Sequence, residues 1–120
     1  MQPLLLCIGM EQNELMRISF SAMALGIQAK AVSAEDEGQT IGALCGLESA
    51  KQNPPKILVN EKMLVMAFFD SALLDRFLKS LRDGKQTVRL KAVLTPHNVH
   101  WTCGELYRHL SQEAAMMAEK

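Results

Sequence analysis

The chain has 120 residues, of which 48% are hydrophobic and 22% charged, a balance that fits one folded domain with its own core and excludes a disordered chain. Lysine plus arginine is 13 and aspartate plus glutamate is 13, so the formal net charge is zero and gives no footprint for nucleic acid or a membrane surface. Three widely spaced cysteines, Cys7, Cys45 and Cys103, form no CxxC pair, which excludes a disulfide framework and points to a reducing compartment, the cytoplasm.

Leu4-Leu5-Leu6-Cys7-Ile8 is a continuous apolar run closed by Gly9. It lacks a basic lead-in and no stretch reaches bilayer length, so neither a secretory leader nor a membrane anchor is expected. A run of this kind suits a strand buried on both faces. From Asn13, the predicted N-cap, to Leu25 the period becomes helical, with Leu15, Ile18, Ala22 and Leu25 on one stripe and Gly26 as the stop. Ile27 to Val32 alternates and reads as a strand with a more exposed face. Ser33 to Gly38 is a polar, acidic loop, in which Glu35-Asp36-Glu37 looks solvated. A second helix is predicted from Thr40, its N-cap, to about Ala50, with Ile41, Leu44 and Leu47 inward.

Gln52-Asn53-Pro54-Pro55 is the clearest break. Ile57-Leu58-Val59 after it reads either as a short extra strand or as an extended lead-in. Met63 to Phe68 is a third strand. Asp70 caps a helix from Ser71 to Arg82 with Leu74, Phe77, Leu78 and Leu81 inward, ended by Asp83-Gly84. Val88 to Leu94 is a fourth strand and Thr95-Pro96-His97-Asn98 a turn. The last helix runs from Cys103 towards Met117, with Leu106, Leu110, Ala114 and Met117 on one face.

The order β-α-β-α is thus written twice. The halves match at nearly one offset: 59 residues for Leu5 and Leu64, 61 for Lys30 and Lys91, 62 for Thr40 and Thr102. We expect a single domain over 1–120, an internal duplication with pseudo-repeats 4–46 and 63–108 joined by the proline-containing linker. If the repeats pair through their first strands, the result is an α/β fold: a small four-stranded, mainly parallel sheet of order 2-1-3-4 with helices on both faces. In that arrangement the pseudo-twofold axis lies along the strands and the two crossover helices fall on opposite faces. Strands two and four are edges, where Lys30 and Lys91 discourage further pairing. A ferredoxin-like plait needs a hairpin between strands two and three, where a capped helix is predicted instead.

The densest chemistry lies between Thr95 and Leu106. Thr102-Cys103-Gly104-Glu105 fits a capping box, and Trp101 with Leu106 fits the hydrophobic staple that accompanies it. Structure alone accounts for those four residues. The functional alternative is a ligand at the C-terminal end of a parallel strand, where helix-terminal amides favour anions. On that reading Thr95, Asn98, Trp101, Thr102 and Cys103 are the candidate binding residues. His97-x2-His100-x2-Cys103 has the donor types of a zinc site but lacks a fourth ligand. Cys103 at the first position of a helix is expected to have a lowered pKa, which would make a reactive thiol. No catalytic set, cofactor or Gly-rich phosphate loop is evident.

Leu90-Lys91-Ala92-Val93-Leu94-Thr95-Pro96-His97-Asn98-Val99-His100-Trp101-Thr102, followed by Glu105-Leu106 and Leu110, resembles the signature of a bacterial and archaeal family of domains of unknown function, number 3783. The resemblance covers roughly 63–113 and rests on Lys91, Thr95, Asn98, Trp101 and Thr102. It departs at Ala114, where the family pattern implies histidine, and His97 and His100 are not part of it. The resemblance implies no activity. The functional expectation is a small binding or regulatory module for an unknown protein or small ligand, without nucleic acid or membrane and with a possible homodimer. The alternative is a small enzyme using the Asn98–Cys103 turn. The homodimer rests on Met16, Phe20 and Met23, which flank the first helix's main stripe.

Overall fold

The structure, a computed structural model, describes residues 2–52, 59 and 61–118, with the side chains of 117 and 118 excepted. In chain order the elements are β1 (Leu4–Ile8), α1 (Gln12–Ala24), β2 (Gln28–Val32), α2 (Ile41–Leu44), β3 (Met63–Ala67), α3 (Ser71–Asp83), β4 (Leu90–Val93) and α4 (Cys103–Ala118). They form one four-stranded sheet of order β2-β1-β3-β4. The proline linker, Ile57 and Leu58, and the side chain of Met117 lie outside the described residues, so the alternatives for Ile57-Leu58-Val59 stay open. Val59 itself is buried.

β1 pairs parallel with β2, and β3 parallel with β4. The central pair, β1 with β3, is antiparallel and symmetric about Leu6↔Val65. Two of three pairings are therefore parallel, but the axis relating the halves is normal to the sheet rather than along its strands. α1 and α3, the crossover helices, consequently share one face, where Ile18, Ala22, Phe77 and Leu81 cover Leu5, Cys7, Leu64 and Met66. α2 and α4 cover the other face, with Ile41, Leu44, Cys103 and Leu106 over Leu6, Ile8, Met63 and Val65. β1 and β3 are buried on both faces, the reason their sequences lack alternation.

Local chemistry sets the ends of these elements. Asp70 accepts from Leu73 N at 2.7 Å and so caps α3. Thr40 accepts from Ala43 N at 3.0 Å and caps α2. α1 starts one residue before Asn13; its N-cap is Glu11, whose side chain makes no capping bond. α2 stops at Leu44 instead of running to Ala50. Gly46 takes φ +81°, and Leu47 N reaches Gly42 O at 2.7 Å, a Schellman closure that leaves Leu47 exposed. The edge lysines are used: Lys30 Nζ donates to Leu44 O at 3.0 Å, and Lys91 Nζ donates to Val88 O.

The halves also meet above the sheet. Thr40 and Thr102, the N-caps of α2 and α4, form an isolated antiparallel bridge. Ile41 N donates to Trp101 O at 2.8 Å and Gly42 N to Val99 O at 2.7 Å. A Cβ on Gly42 would lie 2.8 Å from Val99 O, so only glycine permits this approach.

Candidate functional site

The segment leaving β4 is organised by two successive reciprocal pairs, each three residues apart. In the first, Thr95 N donates to Asn98 Oδ1 at 2.9 Å and Asn98 N to Thr95 Oγ1 at 3.2 Å. In the second, Thr102 N donates to Glu105 Oε1 at 3.2 Å and Glu105 N to Thr102 Oγ1 at 3.1 Å, the capping box expected from T-x-x-E. Asn98 Nδ2 also donates to Val93 O at 3.0 Å. Leu94 N donates to Met66 O of β3, so Val93, one residue earlier, directs its carbonyl away from the sheet. Asn98 therefore occupies a free acceptor on the edge of β4.

Four of the five candidate binding residues are thus placed. Thr95, Asn98 and Thr102 spend their side chains on the turn itself, and Asn98 and Thr102 are buried. Trp101 is half-buried rather than closed in by Leu106. Its ring stacks on His109 at 4.1 Å with an interplanar angle of 9°. Trp101, just before α4, thus meets an imidazole from the second turn of that helix, a contact that the spacing of Trp101 and Leu106 does not announce.

Cys103 is fully buried among Ile41, Leu106 and their neighbours. Burial pushes its thiol up to about 12, with Glu37 nearby adding to the effect. The lowered pKa expected at a helix start does not arise, because desolvation of the thiolate outweighs the first-turn amides. His97 and His100 are exposed while Cys103 faces the core, so the H-x2-H-x2-C spacing does not converge. No group of three His, Cys, Asp or Glu side chains able to hold a metal exists among the described residues.

Two acidic residues do more than the sequence indicated. Glu37 is 5% exposed rather than solvated, accepts from Val59 N at 3.3 Å, and has its pKa raised by burial. Glu48 accepts from Thr40 Oγ1 at 2.7 Å and contacts His100 Nδ1, joining the first half of the chain to the second. The Thr40 hydroxyl, with His100, holds its carboxyl below the usual range. Nothing in the pattern around Glu48 marks it, because its partners lie 8 and 52 residues away.

The central antiparallel pairing also divides the strand ends between the two ends of the sheet. The C-terminal ends of β1 and β2 lie at one end of the sheet and those of β3 and β4 at the other, and the segments that leave β2 and β4 meet only above the sheet, where Thr40 bridges Thr102. What the molecule leaves uncovered is elsewhere. Met16, Phe20 and Met23 on α1 are 50%, 67% and 69% exposed.

Residues 62–117 match the family model described as Domain of unknown function (DUF3783), which covers β3, α3, β4 and nearly all of α4. No curated protein and no solved structure matches the chain.

Proposed function

Residues 62–117 carry the DUF3783 match, and for the chain as a whole we propose a small, non-catalytic binding module of the cytoplasm that associates with a second copy of itself through the outer face of α1. One observation carries the reading: three large apolar side chains, Met16, Phe20 and Met23, are at least half exposed on one face of one helix. With Leu15 they line a shallow groove of about 310 Å³, to which Gln12 and Ser19 are the other contributors among the described residues. The face carries no charge. A second copy related by a twofold axis therefore meets no like charge across it, and flexible methionines adapt to each other at little cost. Glu14 and Arg17 of the same helix are occupied elsewhere, with Lys62 and with Gly84 O.

The strand-end turn supports this choice by elimination. Thr95 pairs with Asn98 and Thr102 with Glu105, and the Cys103 thiol is buried and held protonated, so the turn offers no activated nucleophile among the described residues. Free thiols at Cys7, Cys45 and Cys103 fit a reducing compartment. No helix among the described residues is long and apolar enough to cross a membrane.

Sedimentation velocity across micromolar concentrations tests the proposal. A concentration-dependent shift above the 13.3 kDa monomer is expected, and Phe20→Glu should abolish it without moving the urea midpoint. A monomer at every concentration refutes it.

A further inference from the structure

We infer that the groove between the C-terminal end of α3 and the start of β4 binds an extended acidic protein segment. The groove holds about 430 Å³. Leu78, Leu81 and Val88 form its floor, and Arg82, Lys85 and Lys91 stand at its rim; no carboxylate lines it. Among the described residues the ion pairs are Lys62–Glu14, Arg89–Glu61 and His100–Glu48, so none of the three rim cations has an acidic partner. In a chain of zero formal charge this is a local excess of one sign, complementary to an anion.

Two details favour a peptide over a simple anion. Gln86, in the groove wall, has a buried Oε1 that accepts no hydrogen bond. Once the Gln86 side chain turns towards the groove, a backbone N–H of an incoming segment supplies that donor, which phosphate ions and phosphodiesters do not. The apolar floor suits the alternate side chains of an extended chain, with carboxylates directed to the rim. Lys85 adopts φ +55°, a left-handed conformation normally left to glycine, although Gly84 precedes it. Recognition runs through side chains rather than by adding a strand, since Val93 O on the edge of β4 is already taken by Asn98.

This surface is separate from the outer face of α1, and the test keeps the two apart. Full-length ¹⁵N-labelled protein is titrated at low salt with a synthetic peptide of alternating glutamate and leucine. Saturable shifts are expected at Leu78, Leu81 and Val88 and at the side-chain amide of Gln86. The paired change Arg82→Glu with Lys85→Glu should weaken binding by about tenfold or more, because charge reversal at a rim replaces attraction by repulsion. Arg82→Gln with Lys85→Gln serves if the reversed pair folds poorly and should weaken binding in the same direction. Phe20→Glu should bind as the parent does. Absence of shifts in the groove, unchanged affinity in the neutralised variant, equal binding of a lysine–leucine peptide, or equal binding of an oligothymidylate overturns the inference.

Discussion

Gly42→Ala tests the joint between the two halves. The added methyl would sit 2.8 Å from Val99 O, 2.9 Å from Val99 Cγ2 and 3.0 Å from Glu48 Cδ. Glu48 and Val99 Cγ2 can move, but Val99 O is backbone and is itself the acceptor of the 2.7 Å bond from Gly42 N. Relief therefore means separating the start of α2 from the turn after β4. Overpacking of this kind costs about 1–3 kcal/mol. Alanine's better helix propensity returns at most about 1 kcal/mol, and less in a helix of four residues. The expected net loss is about 1–2 kcal/mol, or a fall in Tm of about 4–8 °C for a domain of this size. Urea melts followed by far-UV circular dichroism measure it. Val99→Ala in the same chain removes the Cγ2 contact but leaves the carbonyl, so the double variant should remain destabilised. A Gly42→Ala protein as stable as the parent, or full rescue by Val99→Ala, refutes the argument that a backbone approach demands glycine here.

Asn98→Ala should cost about 2–3 kcal/mol in the same assay, because it strands both Thr95 N and Val93 O, whereas Thr102→Ala should cost about 1 kcal/mol for a single lost cap; the reverse order contradicts the assigned roles. Trp101→Ala should cost about 2 kcal/mol, less than a fully buried ring, since one face already rests against an exposed imidazole. Cys7 and Cys103, both pushed up to about 12 by burial, should be inert to a thiol reagent at pH 8 until urea unfolds the chain, while half-buried Cys45 reacts first. Glu48 has a lowered folded pKa, so its contribution is present above the unfolded value of 4.5 and lost as pH falls through the folded one. Glu37 has a raised one and opposes folding once ionised. Glu48→Gln should therefore weaken the protein at pH 7 more than at pH 3, and Glu37→Gln should leave it at least as stable at pH 7; urea midpoints at the two pH values that order the variants the other way contradict the assigned causes.

Continuous apolar runs identified β1 and β3 as central strands, and the capping residues Asp70, Thr40 and Thr102 were readable because an N-cap acts over three residues. The direction of β3 against β1 was not readable. Strands buried on both faces carry no alternation, and Met63–Ala67 satisfies either orientation equally. The length of α2 failed for a local reason, a glycine in the left-handed region at residue 46. The fate of Cys103 turned on depth, which position in a helix does not reveal: the same first-turn location gives a reactive thiol at a surface and an inert one beneath α2 and α4. Glu37, Glu48 and His109 act through partners distant in sequence or on a neighbouring helical turn, and no short pattern announces them.

The seam between β1 and β3 has a consequence for how chains recognise their own parts. Its pairing is antiparallel and centred on Leu6 and Val65, so it has the closed symmetry of a homodimer interface written into one polypeptide. When the two halves separate, each presents a fully apolar strand, and the complementary half of another chain fits it as well as its own does. The choice between them is one of effective concentration, set by the connection from α2 to β3. Refolding from dilute solution is expected to give the closed monomer, and refolding from concentrated solution to give some dimers with exchanged halves. Such dimers should persist on dilution, because parting them means unfolding the seam, and that persistence would tell them from the proposed association through α1.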